Sequence, residues 1–388
     1  MKMKKTTILL ACSAIACTAI LAGCSKGVFG NGGQEIRFTT SSSGSSATKT
    51  AYGADQNGKQ ALDWEENDAI TIASLQAVVQ DGVNAGAHSS NYVVNEVTST
   101  GINSKARVRN EGTNGLVWTD GEDSFDFYAV YPKVGTEKTN LTLTPSGDVT
   151  ATIPNLQPLN GNASDKTVEG ADITYKEYKP DMKFAYMTAA TTRVAPSTKN
   201  NAVSLTFDPA FTAFEFNVSS ADEEEIVLTM FELLSPVPDA AEGETPSAPD
   251  VIAGNFSMKA GSDISAEDAV TVTGGTNSIK VDMSDDPQTV DDKTGLTFTV
   301  FALPVANTAA LRLRFTSQEG TDGSKTSWLD MKYGKNATEH TPGAPVIFEA
   351  GHKYRINMLK LPSSQWKISI VPIFEDWVAA EEEVVIYI

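Results

Sequence analysis

Imidazole and thiol chemistry have little material to work with in this chain of 388 residues. Its three histidines, His88, His340 and His352, are far apart, and its three cysteines, Cys12, Cys17 and Cys24, all lie near the start. A nucleophile, a base and an orienting group cannot be assembled from so few. No phosphate-binding glycine loop, Gly-x-Ser-x-Gly elbow or His-Glu-x-x-His motif occurs. Carboxylates are plentiful, with 49 Asp and Glu against 30 Lys and Arg, but paired acid and base work needs a cleft that spacing along a chain does not supply. The turns Asp120-Gly121-Glu122-Asp123 and Asp282-Met283-Ser284-Asp285-Asp286 offer oxygen ligands of the kind Ca²⁺ takes, without the spacing of a helix-loop-helix calcium site. They read as solvated acidic turns. The expectation is no catalytic residue, no metal and no cofactor, and the net charge of −19 argues against nucleic acid as a partner.

What remains is covalent processing. Lys2, Lys4 and Lys5 precede an apolar stretch over residues 6–20, and Leu21-Ala22-Gly23 places small residues before Cys24. This is a secretion signal, too short and wrongly flanked for a permanent membrane span. Its ending resembles the bacterial lipoprotein signal, which implies removal of residues 1–23, acylation of Cys24 and a precursor attached to the membrane through that lipid. No cysteine is left beyond Cys24 to form a disulfide. Residues 25–33 are rich in Gly and Ser, as suits a tether. Further on, Lys49 sits in Thr48-Lys49-Thr50-Ala51-Tyr52-Gly53 behind a Ser, Thr and Gly-rich run, a composition open to proteolytic nicking.

The elements that must position these residues are strands. From residue 34 onward, runs rich in Val, Ile, Thr, Phe and Tyr are broken by Gly, Asn, Asp, Pro and Ser. Residues 69–74, 91–97, 124–131, 182–192, 203–207, 211–218, 296–303, 311–316 and 354–361 fit this pattern. No window shows a capped period of 3.6, so an all-β body follows, built as sandwiches because helical crossovers are missing. A polar break, Ala195-Pro196-Ser197-Thr198-Lys199-Asn200-Asn201, divides the chain into halves at 50–198 and 199–388. The tryptophans, Trp64, Trp118, Trp328, Trp366 and Trp377, are scattered and read as packing residues.

Two segments near opposite ends carry the strongest signals. Residues 34–40 alternate, with Ile36 and Phe38 on one face and Glu35, Arg37 and Thr39 on the other. Val384-Val385-Ile386-Tyr387-Ile388 is an uninterrupted β-prone run, an aggregation hazard unless something pairs with it. Either the two segments pair within one molecule or dock on separate sheets, or they exchange. In the exchange reading a protease removes the N-terminal strand and a neighbour's Val384, Ile386 and Ile388 fill the groove it leaves, in a head-to-tail contact that does not close.

Four further motifs carry a resemblance. They are Trp64-Glu65-Glu66-Asn67-Asp68-Ala69-Ile70-Thr71-Ile72, Phe127-Tyr128-Ala129-Val130-Tyr131-Pro132, the pair Val203-Ser204-Leu205-Thr206-Phe207 and Phe211-Thr212-Ala213-Phe214-Glu215-Phe216, and the hairpin from Phe348 through Tyr354 to Pro362. In order behind a lipoprotein signal, they make the chain resemble the fimbrillin family, subunits of type V pili. The resemblance implies two transthyretin-like Greek-key β-sandwich domains in tandem, at 50–198 and 199–388. It also implies a lipidated tether and removable first strand at 24–49, and a precursor on the outer membrane that ends at the cell surface in a pilus. A trypsin-like maturation protease would cut after Lys49, or at Arg37 if specific for Arg. The displaced strand would carry Ile36 and Phe38, and the donor strand Val384, Val385, Ile386, Tyr387 and Ile388. Its partners would be other pilus subunits, with a shaft role that supports adhesion. The alternative is a pilus tip adhesin or glycan-binding surface lipoprotein using Trp328 and Tyr333 against host or bacterial surface glycans or proteins.

Overall fold

The structure, a computed structural model, describes residues 33–42, 51–56, 59–100, 104–167, 173–198, 200–221, 223, 225–237, 247–266, 268–319, 323–333, 341, 343–361 and 366–372. These residues form β-strands and two short 3₁₀ turns, Met182–Phe184 and Pro196–Thr198, with no α-helix among them. The all-β class follows from the sequence pattern. In the strand Val203–Pro209 burial alternates residue by residue, so Val203, Leu205 and Phe207 pack inward while Ser204 and Thr206 face out.

Seven strands close into a barrel. Around it run Phe38–Ser42, Val203–Pro209, Met187–Val194, Phe125–Tyr131, Ala69–Ala73, Ser89–Ser99 and Lys105–Asn110, the last returning to Phe38–Ser42. Its interior is aromatic. Trp64 meets Phe207 edge to face at 5.2 Å, Trp118 meets Phe125 at 4.7 Å, and Phe38 meets both Tyr92 and Phe127. Such contacts add roughly 0.5–1.5 kcal/mol per pair beyond burial.

A second core is built from three sheets. One has Thr142–Leu143, Asp148–Ile153, Ala253–Lys259 and Val270–Thr276. A six-stranded sheet runs Ser164–Thr167, Thr174–Glu177, Thr294–Ala302, Thr212–Ser220, Lys353–Lys360 and Trp366–Pro372. The third runs Ser278–Asp282, Ile226–Leu234, Arg312–Glu319 and Lys325–Asp330, with Gln288–Val290 also paired to Ile226–Leu234. Between the six-stranded and the third sheet, Phe216 stacks on Phe298, and Phe231 meets Phe216 at a tilt and Phe298 edge to face.

The cores do not part at 198/199. Val203, Leu205 and Phe207 pack in the barrel, whereas Leu141, Val149, Ile153, Phe184 and Tyr186 pack in the second core. The polar stretch after residue 194 joins two adjacent barrel strands, in which Met187 faces Pro209 and Thr188 faces Asp208 in antiparallel register. A hairpin connection and an interdomain linker both need turn-forming polar residues, so composition does not separate them.

Candidate functional site

The site is the slot that the segment from Gln34 to Ser42 occupies in the barrel wall. Its strand runs parallel to Val203–Pro209, with Phe38 beside Val203 and Ser42 beside Phe207. On the other side it is antiparallel to Lys105–Asn110, with Phe38 beside Val108 and Ser41 beside Lys105. Upstream, the Ile36 amide donates to the Leu116 carbonyl at 2.8 Å and the Trp118 amide to the Gln34 carbonyl at 3.0 Å. The Val203 amide donates to the Arg37 carbonyl at 2.8 Å, and the Ser42 amide to the Ser104 carbonyl at 3.0 Å. The segment is therefore an inner strand, held by main-chain bonds on both edges.

Alternation decides what it buries. Ile36 and Phe38 are each 2% exposed, and the Phe38 ring lies edge to face on Tyr92 at 5.2 Å and Phe127 at 5.3 Å. Burying two such side chains contributes about 1.5–3 kcal/mol each. The inward pattern continues through Thr40 and Ser42, both buried. Sequence reasoning missed these two because they are polar and end the apolar alternation; only their parity with Ile36 and Phe38 pointed inward. Thr40 Oγ1 reaches the Ala106 carbonyl at 3.5 Å, the limit of a hydrogen bond. Among the described residues neither the buried Ser42 Oγ nor the indole nitrogen of Trp64 has a hydrogen-bond partner, and the Trp64 ring packs on Phe207, the residue beside Ser42.

Outward residues make the remaining contacts. Arg37 is exposed and donates through its guanidinium to the Asn200 carbonyl. Glu35 lines a small recess with Gln80, Asp81, Asn114 and Gly115. Desolvation raises its carboxyl pKa above the ordinary value, and a hydrogen bond from the Gly115 backbone offsets part of the rise. Glycine is needed there, since a Cβ on residue 115 would lie 2.7 Å from Glu35 Oε1 and 2.9 Å from the Tyr92 hydroxyl.

The other expected site residues scatter. Cys24, Lys49 and the run from Val384 to Ile388 lie outside the described residues, as do His340 and Trp377. Trp64, Trp118 and Trp366 are buried, and Trp328 is 52% exposed on the third sheet of the second core. The Arg312 guanidinium lies 4.2 Å over the Trp328 ring and is also bound to both Asp330 oxygens. Tyr333 packs against the second core instead of joining Trp328 in an open platform. Among the described residues no three His, Cys, Asp or Glu side chains are grouped to hold a metal. A cleft of about 530 Å³ opens beside the barrel, and its lining includes Asn84, Ser89, Asn91 and Asn114.

The geometry defines a strand-built body in which an N-terminal segment serves as an integral wall strand. The chain belongs to the fimbrillin-like family, whose model matches residues 48–369. Among solved structures it is similar to a candidate cell adhesion protein from Bacteroides uniformis ATCC 8492, at 18% identity and a TM-score of 0.47 over 89% of this chain and 99% of that one. It is similar also to a fimbrial assembly protein from Parabacteroides distasonis ATCC 8503, at 12% identity and a TM-score of 0.38 over 89% of this chain and 100% of that one. The tip fimbrial protein Mfa3 from Porphyromonas gingivalis matches at 10% identity and a TM-score of 0.30, over 89% of this chain and 100% of that one. No curated protein shows significant similarity to the chain.

Proposed function

We propose that the protein is a structural pilus subunit of the cell surface, part of a shaft that supports cell adhesion, and that it polymerises by strand exchange after proteolysis. One observation carries this reading: the segment from Gln34 to Ser42 is bonded along both edges of a barrel wall, yet it enters from the N-terminal side of Lys49. A single cut after Lys49 would sever it from the rest of the chain. Its departure would open a slot between Val203–Pro209 and Lys105–Asn110 floored by Tyr92 and Phe127. Two unpaired strand edges above an apolar floor call for another strand, and the run from Val384 to Ile388 of the next subunit is the proposed occupant. Cleavage at Arg37 fits less well, because its carbonyl is engaged by Val203 within the sheet. The precursor would be held on the outer membrane by lipid on Cys24 until a trypsin-like protease frees it.

The test is mass spectrometry of the unlipidated precursor before and after brief trypsin digestion, paired with an unboiled gel. The expected result is a new N-terminus at Thr50 together with an SDS-resistant ladder. A ladder that persists when residues 383–388 are deleted would remove the proposed donor. A tip or glycan-binding role has one observation in its favour, the exposed Trp328 ring, and a glycan array on the intact monomer tests it.

A further inference from the structure

The two halves of the seated strand are not equally suited to its slot. Main-chain pairing is the same for any strand that enters, so discrimination between strands rests on the inward side chains. At the upstream half Ile36 and Phe38 fill the barrel with apolar groups. At the downstream half the inward residues are Thr40, 1% exposed, and Ser42, 2% exposed. Among the described residues the Thr40 hydroxyl reaches one acceptor, at 3.5 Å, and the Ser42 hydroxyl has no partner. A buried hydroxyl without a partner loses its hydration and receives nothing in return. Beside Ser42 lie Phe207, on which Trp64 packs, and the buried Ser104, whose carbonyl takes the Ser42 amide. Here a small polar side chain stands where a branched aliphatic one would bury more surface.

We propose that Thr40 and Ser42 are a built-in weak end, which lets an incoming strand with apolar residues at the same two inward positions displace the resident one. This rests on the strand-exchange reading of the slot and adds to it a direction and a selection rule. Exchange begins at Ser42 and proceeds toward Ile36, because the weak end is also the end next to Lys49, where a cut releases the chain. The incoming strand is the segment of a second copy that carries Val384, Ile386 and Ile388. Those three residues recur at every second position, the spacing of Phe38, Thr40 and Ser42. Val384 takes the Phe38 level, and Ile386 and Ile388 replace the two hydroxyls. No comparable advantage would drive the reverse exchange, so the resident strand does not return.

The experiment uses the unlipidated full chain, cut after Lys49 and diluted to nanomolar concentration so that self-exchange is slow. Release of the N-terminal fragment is followed by mass spectrometry after adding a synthetic Glu-Glu-Glu-Val-Val-Ile-Tyr-Ile peptide. In the double variant Thr40→Val, Ser42→Val, release should slow by about tenfold or more, as expected when one buried hydroxyl is replaced by a methyl of matching shape and the other by a larger apolar group. A second arm keeps the wild-type protein and changes the peptide, placing Ser at the positions of Ile386 and Ile388; release should slow by a similar factor. Equal rates in both arms overturn the inference while leaving strand exchange standing. No release from wild-type protein by the unmodified peptide overturns the strand-exchange reading itself, and the inference with it.

Discussion

The N-terminal strand of the barrel and the strand Thr212–Ser220 of the second core carry their buried polar groups differently. In the barrel, Ser42 Oγ and the Trp64 indole nitrogen are buried without hydrogen-bond partners among the described residues. In the second core the buried carboxylate of Glu215 is bonded by Lys353 Nζ and by Arg355 Nε, each at 2.6 Å. Those cations sit on the strand Lys353–Lys360, which runs parallel to Thr212–Ser220 with Glu215 beside Arg355. Both regions join strands distant in sequence. The second core adds a paired charge cluster to the main-chain bonds, whereas the N-terminal strand has main-chain bonds and two apolar anchors. The contrast belongs to these two strands rather than to the two cores, since Ser317 Oγ of the second core is also buried without a hydrogen-bond partner among the described residues.

The most forceful way to break the comparison is to empty the charge cluster. Glu215→Ala would strand Lys353, whose side chain is 0% exposed, as an uncompensated buried cation. A loss of about 3–5 kcal/mol is expected, read by urea unfolding with a probe in the second core. Phe38→Ala should cost about 3 kcal/mol through the cavity it leaves, confined to the barrel and visible as faster hydrogen exchange at Ile36. If Phe38→Ala instead loosened Thr212–Ser220 as much as the barrel strands, the two cores would be one cooperative unit and the contrast would fall.

Acid should sharpen the contrast. Burial alone would raise the Glu215 pKa, but the attraction and hydrogen bonds of Lys353 and Arg355 outweigh it and bring it from 4.5 to about 2. A depressed carboxylate contributes stability that is fully present above its unfolded value and lost as pH falls toward the folded one. Protection of Thr212–Ser220 should therefore decline between about pH 4.5 and 2. Glu35 has the opposite sign. Its pKa is raised by desolvation, so its contribution favours the seated strand below the ordinary value of 4.5 and is lost as pH rises through the elevated one. The protection factor at Ile36, taken against the intrinsic exchange rate at each pH, should rise on mild acidification while that of Thr212–Ser220 does not. An Ile36 rate unmoved by the Glu35→Gln substitution at neutral pH would show that the carboxyl does not govern the seat.

Smaller effects follow. Gly115→Ala pushes a methyl group to within 3 Å of Glu35 and Tyr92 and should destabilise the barrel by about 1 kcal/mol, with the seated strand becoming easier to digest. Trp328→Ala removes an exposed ring and its Arg312 contact, worth roughly 0.5–1 kcal/mol. It should leave fibre formation unchanged and affect only surface binding.

Much of the fold was legible because β-structure leaves a period of two in the sequence. The strands Ala69–Ala73, Phe125–Tyr131, Thr294–Ala302 and Lys353–Lys360 fall where apolar runs between turn residues place them. Ile36 and Phe38 sit on the inward face that their alternation assigns. Polar inward positions were not legible, because Thr40 and Ser42 look like loop composition until the barrel closes over them. Strands such as Ser164–Thr167 and Thr174–Glu177 were missed for the same reason: their polar side chains stay largely exposed and write no apolar alternation.

From sequence alone come the strand-rich class, the acidic net charge and the local facing of apolar residues such as Ile36 and Phe38, since these depend on side-chain chemistry and on neighbours a few positions away. Tertiary structure alone decided that the segment around Phe38 pairs with Val203–Pro209, about 165 positions along the chain. It also decided that the polar break before that strand is a barrel connection, and that Glu215 meets Lys353 and Arg355. The physical reason is that main-chain hydrogen bonds carry no address. Any strand edge accepts any strand, and the partner is chosen only when all the inward side chains compete for one interior.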